Sequence, residues 1–154
     1  KVACKIKKMI ESEPVNRNNY KYFNPINTRW MDNDIYGHVN NVIYYSYFDS
    51  TVNKYLIDHA GLRIQDSSII GYVVNSNCNY LSGISYPDEI EVGMRVNKIG
   101  NSSVTYGLGI FKKGKKKVCA YGEFIHVFVN RKDSKSVSIP LNIRKALEQL
   151  LIND

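Results

Sequence analysis

One long helical pattern, followed by a long run of alternating residues, limits the architectures open to this 154-residue chain. Over residues 39–60, apolar side chains recur every three or four positions, which predicts a single amphipathic helix. Asn40 or Asn41 can cap its start, and Gly61 stands where a left-handed residue commonly ends a helix. After residue 65 the pattern changes to alternation every second residue with many β-branched side chains, which predicts strands.

The strand pattern divides into four segments, near residues 69–80, 88–99, 102–112 and 116–129. An earlier strand with an internal proline is expected within residues 20–30, and a last helix near 141–152. Asn101 and Gly114 lie in short turns that predict hairpins, and His126 is expected on the less buried side of the final strand. One long helix against antiparallel strands predicts an α+β layer architecture, with the strands curled around the helix, in a single domain over residues 1–154.

Composition and charge narrow the classes of protein. Hydrophobic residues make up 44% and charged residues 23%, a globular mix, and no apolar run is long enough to span a membrane. The net charge is +7, but residues 32–91 carry eight acidic and only two basic side chains between basic flanks. Such a chain would attract a polyanion to part of its surface. A nucleic acid, an acidic carrier protein and a phosphorylated cofactor all fit.

The cysteines indicate a reducing compartment. The chain has three cysteines, Cys4, Cys78 and Cys119. Their odd number and wide spacing argue against a disulfide framework and against a zinc site. The N-terminal residues lack the long apolar core of a secretory signal. We therefore expect reduced, mostly packed thiols in a cytoplasmic protein, and an organellar location after removal of a targeting segment stays open.

The densest group of polar side chains lies in residues 29–41, RWMDNDIYGHVNN, directly before the predicted helix. The N–H groups and dipole of a helix N-terminus favour a developing negative charge, and a nearby carboxylate can act as base or nucleophile. The segment could therefore bind a carbonyl oxygen and attack its carbon. A purely structural turn and cap is the alternative. A calcium loop is excluded, because Ile43 stands where a bidentate Glu is required.

The run Arg-Trp-x-Asp-x-Asp-x-x-Gly-His-Val-Asn-Asn, followed by a tyrosine-rich helix, closely resembles the 4-hydroxybenzoyl-CoA thioesterase family. It is also similar to related acyl-carrier-protein thioesterases. The match is strongest over residues 22–60, and Tyr80, Pro87 and Asp88 are consistent with it further along the chain. The resemblance implies a hotdog fold, in which an antiparallel sheet of about five strands wraps around one long helix, with a C-terminal helix added.

The resemblance also implies site residues. It makes Asp34 the catalytic carboxylate, as general base or nucleophile, with His38 and Asn41 as further catalytic residues that position water or the acyl carbonyl. Asp32 would hold the turn. The residues expected to bind substrate are Gly37, Asn40, Gly71, Tyr72 and Val73.

These binding residues have different expected roles. Gly37 would supply a positive φ or a close backbone approach, and Asn40 could be either a helix cap or a polar group of the site. Backbone N–H groups of Gly71, Tyr72 and Val73 are candidates for stabilising the oxyanion, across a dimer interface, since glycine permits close approach to a ligand.

The implied activity is hydrolysis of acyl-CoA or acyl-carrier-protein thioesters to free acid and thiol. No metal or redox cofactor is implied, coenzyme A enters only as part of the substrate, and a homodimer or homotetramer is expected. A non-catalytic hotdog protein that binds acyl-CoA is the alternative, although the charge of Asp34 would cost such a protein binding energy. A nucleic-acid module is a third hypothesis, and we expect no such binding.

The lysine cluster at residues 112–117 has the sequence KKGKKK and follows Phe111. It has three interpretations. It can be a solvated hairpin tip that keeps strand edges from aggregating. It can be a docking point for coenzyme A phosphates or for an acidic carrier protein. Nucleic-acid binding would need aromatic residues interleaved with the lysines, and these occur only at the margins of the tip.

Overall fold

The computed structural model describes residues 16–152. The sequence predictions for the N-terminal stretch, Cys4 included, lie outside the described residues. Two α-helices and five strands of this part of the chain position the polar segment at residues 29–41. Neither of these helices has the length and apolar character needed to cross a bilayer.

Five antiparallel strands form one sheet: β1 (Tyr22–Asn27), β2 (Ile69–Tyr80), β3 (Glu89–Ile99), β4 (Ser103–Lys112) and β5 (Val118–Asn130). Their spatial order is β1-β3-β4-β5-β2, so the consecutive hairpins β3-β4-β5 form the centre. β1 and β2 form the two edges. The α+β architecture predicted from the sequence is confirmed, and the four later strands lie where the alternation put them.

The long helix α1 (Asn41–Ala60) packs against one face of the sheet. Phe48, Val52 and Leu56 recur at helical spacing and are almost completely buried. The helix ends at Gly61, whose φ of 67° is the left-handed conformation that a glycine adopts without strain. The apolar stripe of the sequence therefore became the buried face of the helix.

The C-terminal helix α2 (Leu141–Glu148) is shorter than predicted. Its last residues leave the helix because the backbone pairs with β3 instead. The Val96 N–H donates to the Leu150 carbonyl at 2.9 Å, and the Ile152 N–H donates to the Val96 carbonyl at 3.0 Å. β1 pairs with β3 only as far as Met94, so this stretch of β3 has backbone groups to offer.

His126 is buried on the helix-facing side of β5, so the prediction that it faces the less buried side is wrong. Its ring meets Tyr106 edge-to-face at 5.1 Å between centroids. Neither ring nitrogen has a hydrogen-bond partner among residues 16–152. Burial lowers the pKa of His126 to about 4, because a charged imidazole would be desolvated there.

The burial of His126 predicts a loss of stability in mild acid. The unfolded chain binds a proton at His126 near pH 6.5 and the folded protein only near pH 4, so this stabilisation is complete above pH 6.5 and disappears as the pH falls to about 4. The expected loss is roughly 3 kcal/mol, at about 1.4 kcal/mol for each unit of pKa shift. His126→Leu should lack it in urea unfolding at pH 7.5 and 4.5, and parallel losses in both proteins would contradict the prediction.

Candidate active site

The buried carboxylate of Asp32 anchors the polar segment. Its Oδ2 accepts hydrogen bonds from the Tyr47 hydroxyl at 2.7 Å and from the Arg29 N–H at 2.9 Å. Its Oδ1 accepts from the Arg29 guanidinium at 2.9–3.0 Å. Burial alone would raise the pKa of Asp32, but the hydrogen bonds from Tyr47 and Arg29 lower it below its usual value. Asp32 therefore holds the turn, as expected from the sequence, and both of its carboxylate oxygens accept hydrogen bonds.

Asp34 opens a tight turn two residues further along. Its N–H donates to the His38 carbonyl at 2.9 Å, and its carbonyl accepts from the Gly37 N–H at 3.1 Å. Gly37 has a φ of 83°, which confirms the positive φ expected of it, and nothing packs against the place where a side chain would be. The Asp34 carboxylate is partly buried and its Oδ1 accepts the Tyr36 N–H at 2.9 Å.

The loop before β3 holds this turn in place. The Val39 N–H donates to the Ile84 carbonyl at 2.7 Å, and the Ser85 hydroxyl donates to the Gly37 carbonyl at 2.9 Å. The exposed ring of His38 packs on Gly83, where an added Cβ would lie 2.7 Å from its Cδ2. Contacts on both sides of Gly37 therefore fix the path of the backbone around Asp34.

The two asparagines at the start of α1 have different roles. Asn40 is the helix cap: its side chain accepts the Val42 N–H at 3.1 Å, and its own N–H donates to the Asp32 carbonyl at 2.8 Å. Asn41 is the first helical residue and its side chain is exposed. Within residues 16–152, the Asn41 N–H makes no hydrogen bond. This N–H is thus a free donor at the positive end of a helix dipole.

Tyr80 is a neighbour of the site to which the sequence analysis gave no role there. Its hydroxyl donates to the Asn41 carbonyl at 3.0 Å, and its ring meets Tyr44 edge-to-face at 5.0 Å. Cys78 lies on the same face of β2, and burial raises the pKa of its thiol to about 11. The resemblance included Tyr80, but its place beside the helix start follows from the sheet order.

The structure does not bring Gly71, Tyr72 and Val73 to the Asp34 turn within one chain. Tyr80 marks the end of β2 that reaches the helix start, and Val73 lies seven residues back along the strand, about 23 Å away. Gly71 was predicted to allow a ligand to approach the backbone closely, but in the structure the group that lies close to it is a side chain. A Cβ there would lie 2.9 Å from the His126 Nδ1, so this glycine makes room for a buried ring.

No group of three histidine, cysteine, aspartate or glutamate side chains in residues 16–152 could hold a metal ion. What the turn does assemble is an accessible carboxylate, an exposed imidazole and a helix start with a free N–H. A family comparison bears on this arrangement. A model of the thioesterase-like superfamily matches residues 28–147, which include the whole turn, all of α1 and all but the last residue of α2. The chain belongs to the thioesterase-like superfamily.

This thioesterase-like chain is similar to proteins of known structure. The PA5185 protein from Pseudomonas aeruginosa strain PAO1 is 52% identical, with a TM-score of 0.88 over 89% of this chain and 96% of that one. Slr0204, a 1,4-dihydroxy-2-naphthoyl-CoA thioesterase from Synechocystis, is 14% identical, with a TM-score of 0.76 over 84% of this chain and 96% of that one. At that identity the second likeness shows the fold alone, and it confirms the hotdog fold.

A bacterial relative is similar in sequence. The uncharacterized protein YsmA from Bacillus subtilis (strain 168) is 25% identical over 123 residues, which are 79% of this chain and 82% of that protein. The resemblance inferred from residues 22–60 is therefore confirmed at the level of the superfamily, and thioester hydrolysis is the general activity that this membership supports.

The two carboxylates of this thioesterase-like turn should differ in their effect on stability. We expect Asp32→Asn to lower the free energy of unfolding by about 2–3 kcal/mol, because an amide cannot accept all the hydrogen bonds from Arg29 and Tyr47. Asp34→Asn should change it by less than ~0.5 kcal/mol, since Asp34 accepts one local bond near the surface. Urea unfolding of both variants measures the difference, and equal losses would contradict the assignment of Asp32 as the anchor.

Proposed function

We propose that this protein hydrolyses acyl thioesters to a free acid and a thiol, with Asp34 as the catalytic carboxylate. The observation that carries the proposal is the contrast between the two carboxylates of the turn. Asp32 is fully buried, and both of its carboxylate oxygens accept hydrogen bonds from Arg29 or Tyr47. Asp34 is reachable, and among residues 16–152 nothing forms a hydrogen bond with its Oδ2. Of these two carboxylates, Asp34 is therefore the one that can accept a proton from water or attack a substrate.

Either role of Asp34 gives a balanced reaction. As a general base, the carboxylate takes a proton from water, the oxygen of that water adds to the thioester carbonyl carbon, and the C–S bond then breaks. The departing sulfur takes up a proton and leaves as the thiol. As a nucleophile, the carboxylate itself attacks, the thiol leaves, and water hydrolyses the resulting anhydride. Both routes develop negative charge on the carbonyl oxygen.

The helix start can stabilise that charge. The Asn41 N–H is a free donor at the N-terminus of the 20-residue helix α1, whose dipole favours an oxyanion there. The side chains of His38 and Asn41 are exposed at the turn and at the helix start, where they would orient the water or the acyl carbonyl. The Tyr80 hydroxyl donates to the Asn41 carbonyl and so ties β2 to the first residue of α1.

We propose that two copies of the chain complete the site through β2. This edge strand is twelve residues long and exposes Tyr72, Val73 and Val74 by 44–58%. An open apolar edge of this length is suited to pairing with another strand. Antiparallel pairing about a two-fold axis between Ser76 and Asn77 would put residue 73 of one copy opposite residue 80 of the other. The oxyanion candidates at 71–73 would then lie beside the second copy's helix start.

Coenzyme A is the thiol carrier that we propose, with a carrier protein as the alternative. One support is the similarity to Slr0204, which is itself a CoA thioesterase and shares the fold. The other is the basic charge of the hairpin tip at residues 112–117, which lies near the turn. Gly37 would contribute to substrate binding by shaping the turn, because its φ of 83° is a conformation that other residues rarely adopt.

Loss of the Asp34 carboxylate should abolish most of the hydrolysis. We expect Asp34→Ala to lower thiol release at least ~100-fold, the scale of losing a general base, on whichever member of an acyl-CoA panel the wild type hydrolyses. The panel would contain several chain lengths and one aromatic acyl group. Asp49→Ala, which removes an exposed carboxylate from α1, serves as the matched control. Equal rates in the wild type and Asp34→Ala would overturn the assignment, and acyl-CoA binding without turnover would favour the non-catalytic alternative.

A charge on the edge of β2 should separate the two copies and lower the activity with them. Val74 is 58% exposed at a bulge in β2, so Val74→Lys would place a charged side chain on the edge that pairs, and a lysine on an edge strand opposes strand pairing. Light scattering should show a shift from a dimer mass to a monomer mass. Ile64→Lys, at an equally exposed loop position, should keep the dimer. A monomeric wild type that hydrolyses thioesters would rule out the shared site.

A further inference from the structure

A cavity of about 250 Å³ lies where the β4–β5 hairpin meets the loop before β3. We call it the lysine pocket, and it is lined by Ser82, Gly83, Lys112, Lys115, Lys117 and Cys119. Three lysines thus line it together with three small residues. The pocket therefore has the charge and the concave shape for an anionic group.

Contacts with neighbouring strands hold the hairpin tip in place. The Gly114 N–H donates to the Glu91 carboxylate at 3.2 Å, and the Arg17 guanidinium donates to the Lys115 carbonyl at 3.1 Å. Arg17 also pairs with Glu91 at 2.7 Å. The lysines of the tip consequently project from a backbone that is fixed against β3.

The charges of the tip are only partly neutralised. Lys112 pairs with Asp88 at 2.9 Å, and Lys113 pairs with Glu89 at 2.5 Å. Across residues 16–152, no acidic side chain pairs with Lys115 or Lys117. Two lysines that line the cavity are therefore available to an anion from outside the chain.

Protection of a sheet edge does not explain these lysines. β4 and β5 are interior strands of the sheet, and the exposed edges belong to β1 and β2. The lysines lie on the hairpin that joins two central strands, where no strand edge is open to another molecule. The interpretation of the cluster as a guard against aggregation is thus weakened.

The lysine pocket adjoins the candidate active site. Gly83 lines the pocket and also supports the ring of His38, which belongs to the Asp34 turn. A Cβ on Gly83 would lie 2.7 Å from that ring, so the two sites are separated by the width of one backbone. A ligand that passes His38 on leaving the turn would meet Lys115 and Lys117.

We propose that the lysine pocket binds phosphate groups of coenzyme A in the thioester substrate. This inference rests on the proposed function, because it assigns the non-reacting end of that substrate. Coenzyme A carries a diphosphate and a separate phosphate, and lysine binds phosphate as a compact point charge. A carrier protein would present a broad acidic surface and would engage Lys113 and Lys116 as readily as the lysines inside a cavity. The concave arrangement of Lys115 and Lys117 favours the small ligand.

The test removes the two free charges from the pocket. Lys115→Gln/Lys117→Gln should raise the KM for acyl-CoA and the Kd for coenzyme A by about tenfold, the loss of roughly one strong charged contact. The kcat should stay within about twofold, because the pocket holds the substrate away from the reacting atoms. Added salt should weaken binding more in the wild type than in the variant. Lys132→Gln/Lys135→Gln, which makes the same charge change in the loop after β5, is the matched control and should behave as wild type.

Two phosphate-free probes separate the possible failures. The same acyl group on N-acetylcysteamine should be hydrolysed equally by the wild type and the pocket variant, and pantetheine should bind both equally in titration calorimetry. Unchanged KM and Kd for coenzyme A compounds in the variant would overturn the pocket while leaving hydrolysis intact. Loss confined to acyl-carrier-protein substrates would overturn it in favour of an acidic partner. A wild type that hydrolyses neither thioester would overturn the proposed function, and the coenzyme A titration would still decide the pocket.

Discussion

The arrangement of the site depends on one buried charge. Asp32 joins three parts of the chain. Its carboxylate binds the turn after β1 through Arg29 and the second turn of α1 through Tyr47, and its backbone carbonyl accepts the Asn40 N–H at the helix start. A buried charge that lost one of these partners would be destabilising, so the geometry around it is strongly held. Asp34 lies two residues further along the same turn, so the contacts of Asp32 also help to hold the backbone of Asp34. The two neighbouring carboxylates thus differ in their environment, since Asp32 is occupied in holding the structure and Asp34 is accessible for the catalytic role that we propose.

The sheet order imposes the second constraint. Because β5 pairs with β2, a strand from the middle of the sequence becomes an edge, and α1 does not cover it. Tyr80 contacts the helix start, while Val73, in an exposed apolar stretch of the same strand, lies about 23 Å away. A long open edge of this kind must be paired or protected in a stable protein. The pairing with a second copy that we propose would satisfy the edge and would also supply the backbone donors that one chain cannot bring to its own turn.

Local patterns predicted much of this molecule, and contacts between distant segments account for what they missed. The limits of β2 and the buried face of α1 follow from periodicity, because each is decided within one element. The polar segment at 29–41 was recognisable because its members are contiguous. His126 was misplaced because Ile125 and Val127 are as apolar as the residues on its own face, so alternation in β5 gives no direction. The early end of α2 and the contact of Tyr80 with the helix start both depend on the spatial order of the strands. That order cannot be inferred from the pattern within any one element.

The charge pattern of the sequence acquires a meaning only in the folded chain. The acidic middle segment supplies Asp88, Glu89 and Glu91, which neutralise Lys112, Lys113 and Arg17 on the neighbouring elements. Much of the alternation between basic and acidic segments is thus internal pairing across the sheet. Positive charge left over at Lys115 and Lys117 is different, because it faces a cavity one backbone width from His38. A net charge of +7 would attract anions to many places, whereas the unpaired charge beside the Asp34 turn would favour the ligand that we propose, which is anionic at one end and reactive at the other.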